Sequence, residues 1–260
     1  MGVTVVTGAS SGIGRSLALR LATGGEAVAV LARREELLRE LVAEIEAAGG
    51  RAFAAACDVT DRGSVAAAFA DVEQQLGPVT RLVANAGGGE PTGIDPFDAA
   101  HVEATLLLNV VGVANCIAAV LPGMLARRHG HLVAMGSLAA MRGLPGAAAY
   151  SASKAALANM MESLRIDLRS TGVDVTLLAP GFVNTRPAKK KKKKRRPLTM
   201  SLENATDRMI RAIERRERVR AFPLSLVALL GLSRLLPRAM LDALLAGHGP
   251  RPKSSKKRGA

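Results

Sequence analysis

Val3-Thr4-Val5-Val6-Thr7-Gly8-Ala9-Ser10-Ser11-Gly12-Ile13-Gly14 opens the chain and decides its reading. Five residues of strand character run straight into a glycine-rich turn, and an apolar helical pattern follows over Gly14–Thr23. Glycines at a strand-to-helix turn let the backbone approach a pyrophosphate closely. The helix N-terminus adds free N–H groups and the positive end of its dipole. The spacing is G-x-x-x-G-x-G, not the G-x-G-x-x-G of the common dinucleotide fingerprint. On its own, the same turn also serves a tight connection that holds no ligand.

Outward from this turn, apolar runs of strand length alternate with helical patterns. Strands are expected at Val3–Thr7, Ala27–Ala32, Ala52–Cys57, Arg81–Asn85, His131–Gly136 and Val173–Ala179. Helices are expected at Gly14–Thr23, Arg34–Ala48, Asp61–Leu76, Val102–Arg128 and Ser151–Ser170, the second carrying a clear stripe of Leu37, Leu38, Leu41 and Ile45. Repeated β-α-β order implies a parallel sheet wound on both faces, with right-handed crossovers. The strands are almost wholly apolar, as strands covered on both sides must be. The expected fold is therefore a Rossmann-type, doubly wound α/β sheet of six or seven strands in one domain, residues 1–248. After Pro180 the rhythm breaks. A basic loop (186–200) is followed by a helical region (201–246) and a basic tail (249–260). Within the helical region a helix is expected near Ser201–Arg216, a short strand at Val219–Phe222 and a helix boundary at Pro237.

Composition narrows the class. Hydrophobic residues make up 48% of 260, mostly aliphatic, with no Trp and one Tyr, enough for a sizeable core. Cys57 and Cys116 have no metal-ligand spacing and fit a reduced, cytoplasmic setting. The net charge of +14 is local: Lys189–Arg196 holds eight cations and the tail beyond Pro250 five more, which leaves the rest at +1. No signal peptide is read at the N-terminus, where Gly2 leads into a strand. Phe222–Leu236, read as the most apolar stretch elsewhere, is shorter than the ~20 residues of a spanning helix.

The Thr7–Gly14 loop is similar to the cofactor loop of the short-chain dehydrogenase/reductase family, in its compact single-domain branch. Further elements follow in order: Cys57-Asp58-Val59, Asn85-Ala86-Gly87, Asn109, Ser137, Tyr150 with Lys154, and Pro180-Gly181 through Val183 and Thr185. The resemblance covers residues 3 to about 185. It implies an oxidoreductase moving a hydride between a nicotinamide and a carbonyl or alcohol carbon, with Asn109, Ser137, Tyr150 and Lys154 as a catalytic tetrad. It further implies that Gly8, Ser10, Ser11, Gly12, Ile13, Gly14, Asp58, Val59, Asn85, Ala86, Gly87, Tyr150, Lys154, Pro180, Gly181, Val183 and Thr185 bind the cofactor. A homodimer or homotetramer built through the Asn109 and Tyr150 helices is expected from the resemblance alone.

The residues themselves read consistently with this. Tyr150 and Lys154 stand four apart, on one face of a helix. A phenol of pKa ~10 is a poor base at neutral pH; a neighbouring ammonium, with the positive nicotinamide of oxidised cofactor, should favour the phenolate and lower that pKa. Tyr150 would then protonate a carbonyl oxygen in reduction or deprotonate an alcohol in oxidation. Ser137 follows an apolar strand at the carboxyl edge of the sheet, where open α/β folds bind ligands; the plain alternative is a cap serine. Asn109, inside an apolar helical run, requires hydrogen-bond partners whether its role is structural or catalytic. Asn85 reads as a backbone brace.

Cofactor choice rests on Val30-Leu31-Ala32-Arg33-Arg34. Ala32 offers no carboxylate to a ribose, whereas Arg33 suits a 2′-phosphate with Ser10 adding a hydroxyl, so NADP(H) is expected over NAD(H). The other reading is two arginines that begin a solvated helix. Lys189–Arg196 stands where the family usually has an apolar lid. It has three readings: a solvated loop, attachment to anionic lipid, or nucleic-acid binding, the last disfavoured because no stacking aromatics accompany it. The leucine-rich Phe222–Leu245 segment is read as core, lid or subunit contact, with an interfacial membrane segment as the alternative. It points to an apolar substrate, a long-chain or ring ketone. The rival in another class is a nucleotide-binding sensor or lipid-surface adaptor without turnover; an intact tetrad argues against it.

Overall fold

In a computed structural model, residues 2–185, 198–233 and 235–245 are described. The first half alternates without interruption: β1 (Val3–Thr7), α1 (Gly12–Thr23), β2 (Ala27–Ala32), α2 (Glu35–Ala47), β3 (Arg51–Ala56), α3 (Arg62–Leu76) and β4 (Val79–Ala84). Helices α4 (Ala99–Leu106) and α5 (Gly112–Ala126) follow, joined by a π-helical turn at Leu107–Val111, then β5 (Gly130–Met135), α6 (Ala148–Asp167) and β6 (Val173–Pro180). A two-residue pair, β7 (Val183–Asn184) with β8 (Met200–Ser201), precedes α7 (Leu202–Glu214), β9 (Val219–Phe222), α8 (Leu224–Ser233) and α9 (Arg238–Leu245).

Seven strands form one parallel sheet in the order β3-β2-β1-β4-β5-β6-β9. Side chains alternate across it. Val5, Leu82 and Leu132 face a core shared with Phe69, Val120 and Met161, from α3, α5 and α6. Val6, Val83 and Val133 face the other core, shared with Leu17, Leu41 and Ile213, from α1, α2 and α7. Both faces are covered, as the apolar strands require. The order reverses between β1 and β4, so the crevice beyond their carboxyl ends is the place for a ligand.

Among the described residues, Ala99–Ala126 is one continuous helical run whose most apolar 18 residues have a mean hydropathy of 2.1. By length and composition it could cross a bilayer, but α5 lies against β4, β5 and α3 as a core helix. The Lys189–Arg196 run and the tail beyond Pro250 lie outside the described residues.

Candidate active site

The glycine turn is built for a close approach. Gly8 and Gly12 both have positive φ, +65° and +57°, a region a side chain disfavours. A Cβ on Gly8 would come 2.8 Å from the Ala86 backbone, and one on Gly14 would come 2.5 Å from Asn85 Nδ2. No side chain caps α1, whose N-cap is Ser11, and its first turn carries no acid. Its leading N–H groups therefore face the crevice with the dipole behind them. An uncapped helix start behind two left-handed glycines fits a dinucleotide pyrophosphate.

Asn85 braces this turn, as expected. Its Nδ2 donates to Thr7 O at 3.0 Å, and the backbone N–H groups of Asn85 and Ala86 donate to Thr7 Oγ1 at 3.1 and 3.0 Å. Asp58 accepts from Thr60 N–H (3.0 Å) and from the Thr60 hydroxyl (2.8 Å), which hold its carboxyl below the usual range. Val59 is buried, and its carbonyl accepts from Asn115 Nδ2 at 2.9 Å. Ile13 packs partly into the core beneath the turn. Thr185 closes the ring, its Cβ 3.3 Å from where a Cβ on Gly12 would stand.

The arginines divide differently from the sequence expectation. Arg33 is 77% exposed and lies 3.9 Å from the Asp58 carboxylate. Arg34 turns back onto the glycine loop, donating to Ser10 Oγ at 2.8 Å and Ser11 Oγ at 3.1 Å. A phosphate beside the two serines would meet Arg34 there, while Arg33 reaches into solvent beside Asp58. The Arg-Arg doublet was the available signal.

At the carboxyl ends of β4 and β5 the four tetrad candidates converge. Asn109 lies in the π turn, fully buried. Its amide donates to Gly88 O (2.7 Å) and Ser153 Oγ (2.9 Å), and its Oδ1 accepts from Gly88 N–H (2.9 Å). A π turn often marks a functional site. Asn109 thus ties the loop after β4 to α6. It reaches the neighbourhood of Lys154 through Gly87, where a Cβ would sit 2.7 Å from Asn109 Oδ1 and 3.3 Å from Lys154 Nζ. Asn109→Ala strips three partners at once. It is expected to lower the unfolding free energy by about 2–3 kcal/mol in urea titrations, more than a surface Asn would.

Lys154 is buried, donates to Met135 O at 2.7 Å and sits 5.8 Å from the centre of the Tyr150 ring. Burial lowers its pKa to about 8. Ser137 caps a short 3₁₀ turn by accepting from Ala139 N–H, and its hydroxyl also hydrogen-bonds the Tyr150 phenol. In the free enzyme the phenol's pKa is raised. Burial outweighs the Ser137 hydrogen bond, and the ammonium faces the Met135 carbonyl. Gly89 packs under the ring, where a Cβ would come 2.7 Å from Tyr150 Cδ2.

Three supports were missed. Thr92 accepts from Ala149 N–H (3.1 Å) at the start of α6, Ser153 joins Asn109 to the Tyr150 carbonyl, and Gly89 clears the ring. Only Ser153, one residue before Lys154, left a sequence signal. A second crevice of ≈ 570 Å³, lined by Arg165, Arg169, Arg216 and Arg218, opens at the amino end of β6, the end opposite the Tyr150 edge.

A parallel doubly wound sheet with a pyrophosphate turn and a Tyr-Lys-Ser cluster at its carboxyl edge defines a nicotinamide-dependent oxidoreductase. The chain belongs to the short-chain dehydrogenase family, whose model matches residues 2–196. It is 40% identical over 239 residues to an uncharacterised oxidoreductase of Myxococcus xanthus, covering 92% of this chain and 94% of that one. It is 38% identical to a 3-oxoacyl-(acyl-carrier-protein) reductase of Staphylococcus aureus, over 69% of this chain and 73% of that one. Among solved structures, an actinorhodin polyketide ketoreductase variant with NADPH aligns with a TM-score of 0.69 at 36% identity, over 71% of each chain. A 7α-hydroxysteroid dehydrogenase with NADH and a 7-oxo bile acid aligns at 0.78 and 25% identity, over 85% of this chain and 92% of that one.

Proposed function

We propose that this oxidoreductase uses NADPH to reduce the carbonyl of an apolar substrate, with Tyr150 as acid, and reverses the step on a secondary alcohol. The convergence of Tyr150, Ser137 and Lys154 beside the glycine turn carries the reading. When bound, the nicotinamide supplies the hydride. Tyr150 donates its phenolic proton to the oxygen that becomes the hydroxyl, and the Ser137 hydroxyl donates a hydrogen bond to that oxygen. Lys154, charged below about pH 8, favours the phenolate left behind. Asn109 positions Lys154 and Tyr150 by fixing Gly88 and Ser153. Turnover of a panel of aliphatic and ring ketones, read as NADPH oxidation, tests the proposal; NADPH binding with no turnover of any carbonyl would favour the sensor reading.

Cofactor preference follows from the arginine pair. Arg34→Ala and Arg33→Asp are each expected to raise the KM for NADPH about 10–100-fold, while the KM for NADH moves less than threefold, because a charge-assisted bond to a 2′-phosphate is worth ~1.5–3 kcal/mol. Equal losses for both cofactors would reject the assignment. The reading also includes a homodimer or homotetramer, supported by Leu107, Val111 and Leu125 exposed along the Asn109 turn and α5. It places the enzyme in the cytoplasm, in peripheral contact with an anionic membrane. Two buried thiols support the reducing setting, their pKa values pushed up by burial to about 11 at Cys57 and about 12 at Cys116.

A further inference from the structure

We propose that the outer face of α8 docks on an anionic lipid bilayer and turns the mouth of the active site toward it; this rests on the placement of the reductase site beside Ser137. Helix α8 is apolar along its length yet contributes no buried residue to the core. Its inner side walls the site: Leu226 Cδ2 lies 2.9 Å from where a Cβ on Gly181 would stand, and Leu138 Cδ1, next to Ser137, lies 3.4 Å from the same point. The far end is tied down where Arg142 Nη1 donates to Ser233 O at 2.8 Å.

At about 100° per residue, Leu224, Leu229 and Leu232 fall within one arc of about 140°, centred opposite Leu230. They are 73%, 58% and 64% exposed, and Leu235 just beyond is 81% exposed. Ile94 and Phe97, 53% and 60% exposed, belong to the loop that Thr92 N–H ties to Gly146 O, on the same 138–147 segment that Arg142 anchors to α8. The apolar surface therefore rims the approach to Ser137 from two sides. Scattered leucines need no explanation, but a helix that holds three leucines in water on one side does.

Charge selects the occupant. The eight cations of Lys189–Arg196 begin four residues after Thr185 and end two before Leu198. Lys189 is thus within about 14 Å of Thr185 by chain length. Thr185 is itself four residues from the Gly181 that packs on α8. Five more cations follow α9, beginning six residues after Leu245. The run of eight is therefore tethered by Thr185 and Leu198 to the chain that leads from Gly181 on α8. Each cation held near an anionic bilayer raises affinity about fivefold, and apolar side chains entering the headgroup boundary add to that. A second copy of the chain would bring the same cations against themselves. An apolar ketone dissolved in the leaflet would reach Ser137 without crossing water.

The test is co-sedimentation of the full chain with vesicles of phosphatidylcholine alone or mixed with phosphatidylserine. Wild type should pellet with the mixed vesicles, at least tenfold more than with phosphatidylcholine, and be released at about 0.5 M salt. Leu229→Glu with Leu232→Glu should cut the partition at least tenfold while NADPH affinity, the check on folding, is unchanged. Tyr150→Phe should pellet as wild type does, which separates this proposal from the catalytic one. Wild type remaining in solution with the anionic vesicles would overturn it. So would a double variant that pellets undiminished, or one that splits a larger oligomer in the absence of lipid.

Discussion

Tyr150→Phe is expected to lower kcat for carbonyl reduction by about two to four orders of magnitude, the usual worth of a placed general acid, with the NADPH dissociation constant within about threefold of wild type. The substitution removes one oxygen and keeps the ring against Gly89, so packing survives. Unfolding free energy should change by less than about 1 kcal/mol, since the lost bond to Ser137 is a single hydroxyl contact. The raised pKa gives the prediction a direction. In the free enzyme burial holds the phenol in its acid form through the neutral range, the form reduction requires. Oxidation needs the phenolate and so depends on charge nearby. The variant should therefore lose both directions, and wild-type oxidation should gain with pH where reduction does not. A folded Tyr150→Phe protein that binds NADPH and reduces any ketone at the wild-type rate would remove Tyr150 from the mechanism.

How far the sequence carried this can be read element by element. β1, β2 and β9 fall where their apolar runs begin and end, because a glycine, a charged residue or a proline bounds each run. β4 starts two residues early, at Val79, and excludes Asn85, whose backbone N–H bonds across to Thr7 Oγ1. Helix α4 starts three residues before the expected Val102 because Asp98 caps it, accepting from Ala100 and His101 N–H. The π turn was invisible, because a leucine run with one Asn has ordinary helical periodicity. What singles out Asn109 is a set of bonds to Gly88 and Ser153, more than twenty residues away in either direction.

The site was legible as residue types and not as electrostatics. Spacing put Tyr150 beside Lys154, but the sign of the phenol's shift depends on burial, which has no local signature. Arg33 and Arg34 were equivalent as letters. Only the chain's exit from β2 sends Arg34 toward Ser10 and Ser11 and leaves Arg33 in solvent near Asp58.

Lys154→Met should be nearly inactive yet no less stable than wild type near pH 7, because the two effects of the ammonium oppose each other. Burial drops its pKa from 10.5 to about 8 on folding. Between those values the unfolded chain holds a proton that the folded one lacks, so this group makes stability climb as pH rises from about 8 to about 10.5. Below about pH 8 both states are protonated, and the whole cost of burying the charge, about 3 kcal/mol, remains in force. Methionine removes that cost and fills the same stem. Losing the bond to Met135 O returns about 1–2 kcal/mol, since the acceptor is left inside the protein. The balance favours the variant by about 1–2 kcal/mol at pH 7, and the advantage should shrink toward pH 10. Activity should move the other way. Reductive kcat/KM of wild type should fall about tenfold per pH unit above about 8 as the ammonium is lost. Lys154→Met should start at least two orders of magnitude lower and show no such limb. A variant destabilised at neutral pH, or one that keeps the alkaline limb, would make Lys154 a structural cation and assign the limb to another group.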